Sequence, residues 1–213
     1  FYMIRQIFGA RSQPMQRLLN VLPMRSALLD PKALLDLVLP TGLPGEIDDL
    51  EIPFYAIATD MRSREATVFE SGELRPRVAA SIAIPVLFAP VVIDQRLYAD
   101  GGLVNPLPLD VLAGKADILV GIDVTGERDS DAMTDQPSLT SMMVHSVAIL
   151  QKTIIQAQMK IAPPDLYLDL DVGRFGALQF HLVNEILQAA EPAKETFRRE
   201  LLRVLGGNAA LTT

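Results

Sequence analysis

Apolar and polar positions along this chain change several times between the pattern of a strand and that of a helix. Residues 52–59 and 117–124 are nearly continuous in apolar and β-branched residues, which is typical of buried strands. Shorter runs predict two further strands and a hairpin: residues 66–69, residues 165–170, and residues 91–93 with 96–98 around Asp94-Gln95. We take residues 117–124 to be the central strand of a parallel sheet.

Helical patterns separate these runs. Asp30-Pro31 predicts an N-cap and a first-turn proline for a helix to about Leu39. Pro76 opens a second helix, rich in small residues, which ends before Pro85. Three more helices are predicted: a short one within residues 106–114, a long one over 138–159 and one over 182–205.

Two details of the longer helices are also predicted. Met143, Val147, Leu150 and Ile154 form one apolar stripe on the long helix, and Pro192 breaks or restarts the last one. The alternation of strands and helices predicts a layered α/β domain, and we take residues 1–213 as a single domain.

Composition narrows the class of protein. The 213 residues are 49% hydrophobic, which is enough for a sizeable core. A formal net charge of −7 argues against a nucleic-acid partner, which needs a concentrated basic face. The absence of cysteine excludes disulfides and thiolate sites and permits a reducing compartment such as the cytoplasm.

Neither a spanning segment nor a leader is visible. The most apolar stretch, residues 78–93, is interrupted by Pro85 and Pro90 and is shorter than the roughly 20 residues that a spanning helix needs. The chain begins FYMIRQIFGAR, without an initiating Met or the order of a secretory signal. We therefore expect a longer protein of which this chain is a part.

One block of sequence carries a recognisable pattern. The run ASIAIPVLFAPV is followed by LYADGGLVNPLPLD. This combination resembles the patatin-like phospholipase family, in which an alanine- and serine-rich helix ending in proline precedes a strand and an Asp-Gly-Gly turn. The match is close over about residues 50–125 and general elsewhere.

The resemblance implies a fold and a site. The fold would be a three-layer α/β sandwich with a mainly parallel central sheet, of which this chain is the C-terminal portion and the N-terminal part is missing. In that family the aspartate of the turn partners a nucleophilic serine, a role that falls here on Asp100, with Gly101 and Gly102 completing the motif. The substrate would be a lipid or another acyl ester; no metal or cofactor is implied, and peripheral membrane contact and oligomeric state stay open.

Elementary chemistry fits such a role for Asp100. A carboxylate with a pKa near 4 is a poor base unless its site desolvates it, and the apolar segments on both sides of Asp100 would raise its pKa. The glycines would let the backbone turn sharply and leave the carboxylate uncovered. Taken alone, Asp-Gly-Gly would be an ordinary surface turn.

The serine itself is not in this sequence. The family places a glycine-rich oxyanion loop and a G-x-S-x-G elbow before the Asp-Gly-Gly turn, but no G-x-S-x-G occurs in the 213 residues. We therefore expect this chain alone to be inactive. Ser81 lacks the glycines of an elbow, and helix packing explains its small neighbours better.

Other chemistry has weaker support. His145 and His181 are the only histidines that a Ser-His-Asp triad could use, and we interpret both as packed or surface residues. Asp169 and Asp171 alternate with leucines and are expected to face solvent rather than a metal ion. Residues 126–137 form a polar loop that could act as a lid. Four methionines, which could make an acyl-chain surface, are interpreted as ordinary core: Met133, Met142, Met143 and Met159.

Three classes of function compete. The leading hypothesis is a serine-dependent lipid acyl hydrolase whose serine precedes residue 1. The alternative is a non-catalytic module of the same fold that binds lipid or a protein. A nucleotide-binding α/β protein has less support, because the sequence contains neither a Walker lysine motif nor G-x-G-x-x-G.

Overall fold

A computed structural model of the chain describes residues 29–125, 139–170, 172–175, 179 and 182–209. It divides the chain into two compact units. The first contains the residues up to Pro106 together with Met143–Gln151, and the second contains Leu107–Met142 and the residues from Lys152 onward. This division does not test the single-domain organisation, which stays a prediction.

The first unit is built on an antiparallel sheet of four strands in the order β2-β1-β4-β3. All five residues of β1 are buried, as its apolar sequence predicts, and β1 is one of the two inner strands. The strands are β1 (Ala56–Asp60), β2 (Glu65–Phe69), β3 (Val91–Ile93) and β4 (Arg96–Asp100). Residues 52–55, predicted as part of β1, lie outside it, since Pro53 cannot donate a ladder hydrogen bond.

Two helices accompany this sheet. Helix α1 (Pro31–Val38) begins where the Asp30 carboxylate accepts a hydrogen bond from the Lys32 amide, which confirms the predicted N-cap. Helix α2 (Leu74–Ser81) contacts α1 and strands β1, β3 and β4. Its Ala79 and Ala80 are completely buried, as expected of small residues that allow close packing.

The second unit contains a parallel pair of strands. Strands β5 (Val120–Asp123) and β6 (Leu166–Asp169) pair in register from Val120↔Leu166 to Asp123↔Asp169. Three helices complete the described elements: α3 (Leu109–Leu112), α4 (Leu139–Ile161) and α5 (Val183–Ala209). Helix α4 makes the long crossover that two parallel strands require. Leu107, Leu109 and Ile155 form the core of this unit.

The predicted mainly parallel sheet is not confirmed by the described strands, because the larger sheet is antiparallel throughout. The reason lies in the connections. Residues 61–64 join β1 to β2, and Asp94-Gln95 joins β3 to β4, and such short turns can connect only antiparallel neighbours. Only β5 and β6 are parallel.

Two predictions about the long helices were wrong. Pro192 lies inside a continuous α5 and does not break it. On α4, Met143 and Leu150 are exposed at 47% and 62%, while Ile155, one residue beyond the predicted stripe, is the buried residue. The helix is apolar on several faces, so periodicity alone does not identify the packed one. The predictions for residues 1–22 and for the lid loop at 126–137 lie outside the described residues.

Candidate active site

Strand β4 ends at Asp100, and the chain then tightens into a 3₁₀ turn at Gly101–Leu103. The backbone of Asp100 is held from two sides. Its amide donates to the Ala83 carbonyl (3.0 Å), and its carbonyl accepts from the Thr59 hydroxyl (2.8 Å). These bonds tie the aspartate to β1 and to the segment that follows α2, so its position is fixed by the core of the first unit.

The Asp100 carboxylate is half-buried, and few hydrogen bonds stabilise its negative charge. The Gly102 amide donates to Oδ1 at 2.6 Å, and no other donor to this carboxylate is found among the described residues. Burial raises the pKa of Asp100 from its ordinary value of 3.8 to about 6, because the single Gly102 bond only partly offsets the loss of water. The direction agrees with the sequence-based expectation.

A carboxyl group with a pKa near 6 is a better proton acceptor than an ordinary aspartate and is still ionised at neutral pH. General-base efficiency is greatest when the pKa lies close to the working pH. Because Oδ1 takes the Gly102 bond, the remaining acceptor capacity of the carboxylate is available to a hydroxyl proton. That Asp100 acts as such a base stays a prediction.

The two glycines are required for different reasons. At Gly101 an added Cβ would overlap the backbone carbonyl oxygen of Ile57 and lie 2.7 Å from its carbon. At Gly102 it would overlap the side-chain amide nitrogen of Gln151 and lie 2.8 Å from Oδ1 of Asp100. Gly101 thus allows close approach to β1, whereas Gly102 leaves room for side chains around the carboxylate.

Asn105, which completes the sequence motif, is buried behind the turn. The backbone amide of Asn105 donates to the Gly101 carbonyl at 2.9 Å, and the backbone amide of Val104 donates to the same oxygen at 3.2 Å. The shared acceptor closes the turn on itself. The motif residues are therefore brought together by the local fold and are not scattered over the surface.

The structure also locates the other residues that the sequence analysis considered as catalytic or metal-binding groups. Ser81 is the half-buried last residue of α2, in agreement with a packing role. His145 is half-buried on α4, whereas His181 and Asp171 lie outside the described residues. Asp169 is exposed to solvent, as predicted, and also forms an ion pair with Lys152 at 2.9 Å.

The methionine prediction holds only in part. Met159 packs against the core of the second unit, but Met142 and Met143 are about half exposed, so the interpretation as core was wrong for these two. Met133 lies outside the described residues.

Sequence reasoning missed a buried carboxylate cluster in the second unit. The Asp123 side chain, 1% exposed, accepts hydrogen bonds from the Thr125 amide (2.8 Å), the Thr125 hydroxyl (2.6 Å), the Tyr167 hydroxyl (2.7 Å) and Lys152 Nζ (3.1 Å). Burial alone would raise the pKa of Asp123, but these bonds outweigh it and lower the pKa. The only sequence signal was Asp123 at the end of a buried strand.

Two features concern binding partners: side-chain groups that could hold a metal ion and helices that could cross a membrane. The part of the chain that the structure describes contains no group of three or more His, Cys, Asp or Glu side chains able to hold a metal ion. In the same residues, no helix has the length and apolar character needed to cross a membrane. The expectation that the reaction needs no metal or cofactor stays an expectation.

Comparison with known proteins agrees with the site. The family model of the patatin-like phospholipases matches residues 9–113, which is 105 of the 213 residues and includes the whole Asp-Gly-Gly turn. Residues 9–113 are therefore similar to the patatin-like phospholipase family, as the sequence motif indicates.

Individual relatives agree with this assignment. An uncharacterised NTE family protein of Mycobacterium tuberculosis is 35% identical over 139 residues, which cover 63% of this chain and 39% of that protein. Patatin-like phospholipase domain-containing protein 7 of Mus musculus is 36% identical over 93 residues, covering 42% of this chain and 7% of that protein. The chain thus spans well under half the length of either relative.

Proposed function

We propose that this chain is part of a serine-dependent lipid acyl hydrolase in which Asp100 is the base of a Ser-Asp dyad. The observation that carries the proposal is the state of the Asp100 carboxylate, which is half-buried, receives one hydrogen bond and has its pKa raised to about 6. The similarity of residues 9–113 to a phospholipase family supports a lipid ester as the substrate class.

The reaction follows from a base in this setting. Asp100 accepts the proton of the serine hydroxyl as the serine oxygen attacks the ester carbonyl, and the carbonyl π electrons move onto oxygen. When the tetrahedral intermediate collapses, the bond to the alcohol breaks and Asp100 returns the proton to the departing oxygen. Water then attacks the acyl-serine with Asp100 again as base, which releases the fatty acid and restores the serine.

The nucleophile and the oxyanion donors belong to sequence outside these 213 residues, which contain no G-x-S-x-G. Oxyanion donors contribute roughly 3 to 4 kcal/mol each to the stabilisation of the intermediate in comparable hydrolases. Without them and the serine, residues 1–213 alone should not turn over esters. The three-layer sandwich with a mainly parallel sheet is proposed for the complete domain.

The experiment is active-site labelling of the full-length protein with a fluorophosphonate probe, which reacts with activated serines. We expect one labelled serine in a G-x-S-x-G sequence, and release of fatty acid from phospholipid or lysophospholipid substrates. A full-length protein that neither labels nor releases fatty acid would remove the hydrolase proposal.

The second candidate is a non-catalytic module of the same fold that binds lipid or a protein partner. The absence of an elbow serine from the sequence favours it. Binding of fluorescent phospholipid by a full-length protein that does not label would support this candidate, while probe labelling with turnover would exclude it.

A further inference from the structure

Gln151 is a polar side chain from outside the Asp-Gly-Gly motif that lies directly against Gly102. It belongs to the part of α4 that falls in the same compact unit as Asp100. A Cβ placed on Gly102 would overlap its amide nitrogen and lie 3.3 Å from its amide carbon. The same point is 2.8 Å from Oδ1 of Asp100, so the Gln151 amide and the carboxylate flank Gly102 together.

Within the described residues, the Gln151 amide makes no hydrogen bond, although it is partly buried. An amide that has no fixed partner next to a carboxylate with a single donor is suited to stabilise that carboxylate or the group that binds it. It lies beside Gly102, whose N–H is the one donor to Asp100 among the described residues.

The geometry points to Gln151 as a positioning residue for Asp100: its amide covers Gly102 and, through its polarity, holds in place the turn whose N–H donates to the carboxylate. The role rests on the proposed function only where a catalytic readout is used. Gln151 lies far along the chain from the motif, so no motif comparison over the Asp-Gly-Gly block would point to it.

The other charged or titratable groups near this turn have partners of their own or do not act on Asp100. They include Asp60 on β1, Arg75 and Arg77 on α2, and His145, Lys152 and Lys160 on α4, and Arg75 is paired with Asp36. Asp60 is paired with Arg96, and Lys152 with Asp123 and Asp169. The shift in the Asp100 pKa has two causes, burial and the Gly102 amide, and no charged side chain contributes to it. A charge placed at Gln151 would therefore be the first to act on Asp100.

The test is a direct titration of Asp100 by carbon NMR in full-length protein labelled at aspartate, with the Asp100 signal assigned from an Asp100→Asn variant. Gln151→Glu adds a negative charge beside the carboxylate and should raise its midpoint by about one pH unit or more. Gln151→Met keeps the size but removes the amide dipole and should raise the midpoint by less. The acid limb of kcat/KM should move in the same direction.

The matched control is Gln95→Glu, the same chemical change at an exposed site in the turn at the opposite end of β4, roughly 16 Å along the strand from Asp100. It should leave the midpoint unchanged. An unmoved midpoint in both Gln151 variants, or equal shifts in both, would overturn the proposal, because neither depends on the polarity of the amide. Since the titration needs no turnover, its result stands whether or not the full-length protein labels with fluorophosphonate.

Discussion

Asp100 and Asp123 both lie at the ends of strands and are shielded from water, but they differ in the number of hydrogen bonds to the carboxylate and in the direction in which the pKa is shifted. Asp100 receives one hydrogen bond, and burial raises its pKa to about 6. Asp123 receives four, one of them from Lys152, and its pKa is lowered despite burial. Burial alone does not mark a catalytic carboxylate. What distinguishes Asp100 is that only one hydrogen bond stabilises its charge, which is the state expected of a carboxylate that acts as a base.

The strongest test of this contrast is Asp100→Asn in the full-length protein. The amide cannot accept a proton, so kcat/KM for ester hydrolysis should fall by roughly 10² to 10⁴-fold, the usual contribution of a positioned base. Initial rates with a short-chain ester and unfolding in urea would be measured together. The fold should be unaffected.

The control is Asp94→Asn in the hairpin turn before β4. Asp94 is exposed and has a φ of 48°, a conformation that asparagine adopts readily, so activity should be unchanged. Equal losses in the two variants would show that the hairpin, and not the Asp100 carboxylate, is what the enzyme needs.

At the other carboxylate, Asp123→Ala should reduce stability. It leaves Lys152 without its buried partner and the Tyr167 hydroxyl without its acceptor, so unfolding free energy should fall by about 3 kcal/mol or more. Urea denaturation of the full-length protein measures the loss. Asp169→Asn removes the more exposed carboxylate from the same lysine and should cost less than about 1 kcal/mol. If the two variants were equally unstable, the contrast between the buried and exposed partners of Lys152 would be wrong.

The pH dependence of stability should carry opposite signs at the two sites. Asp100 has a native pKa near 6 against 3.8 when unfolded, so the native state binds more protons between these values and loses stability as pH rises from about 4 to 6. The loss of unfolding free energy should be about 3 kcal/mol. The lowered pKa of Asp123 has the reverse effect, a loss of stability as pH falls through and below about 4.

Chemical denaturation at a series of pH values separates these two contributions. Asp100→Asn should abolish the slope between pH 4 and 6 and leave the loss below pH 4 intact. A slope that persists in this variant would assign the upper transition to another group.

Smaller effects than at Asp100 and Asp123 are expected at the glycines. Gly101→Ala drives a methyl group into the Ile57 backbone carbonyl and should cost about 2 kcal/mol, since the backbone must shift. Gly102→Ala meets the movable end of Gln151 and should cost less than about 1 kcal/mol, with much of the loss recovered in the double variant with Gln151→Ala. Thermal melting measures both. Gly45→Ala, which meets nothing within 4 Å, should be neutral.

Features set by neighbouring residues were predictable from the sequence. The Asp30-Pro31 helix start and the hairpin at Asp94-Gln95 are confirmed, because a cap or a two-residue turn is determined within a few positions. The Asp-Gly-Gly turn was found through a motif of the same local kind. That Asp100 is catalytic stays a prediction.

Features set by contacts between distant segments were not predictable. Strand direction in the larger sheet depends on which segments pair, and the buried side of α4 depends on what packs there. The position of Gln151 beside Gly102 and the binding of Lys152 to two carboxylates likewise join residues far apart in sequence. Neither has a fixed spacing that a pattern could reveal.

The two-residue turn before β4 has a consequence for how this site can change. The side chains of successive strand residues point to opposite faces of the sheet. The Asp100 side chain therefore stays on its present face only if the number of residues between the Asp94-Gln95 turn and Asp100 changes by an even number. The Asp60–Arg96 ion pair fixes where that count begins. Inserting or deleting one residue in β4 would turn the carboxylate to the other side of the sheet, while a change of two would only displace it. A change of one residue in β4 should therefore move Asp100 more than a change of the same length in the exposed turn at residues 61–64.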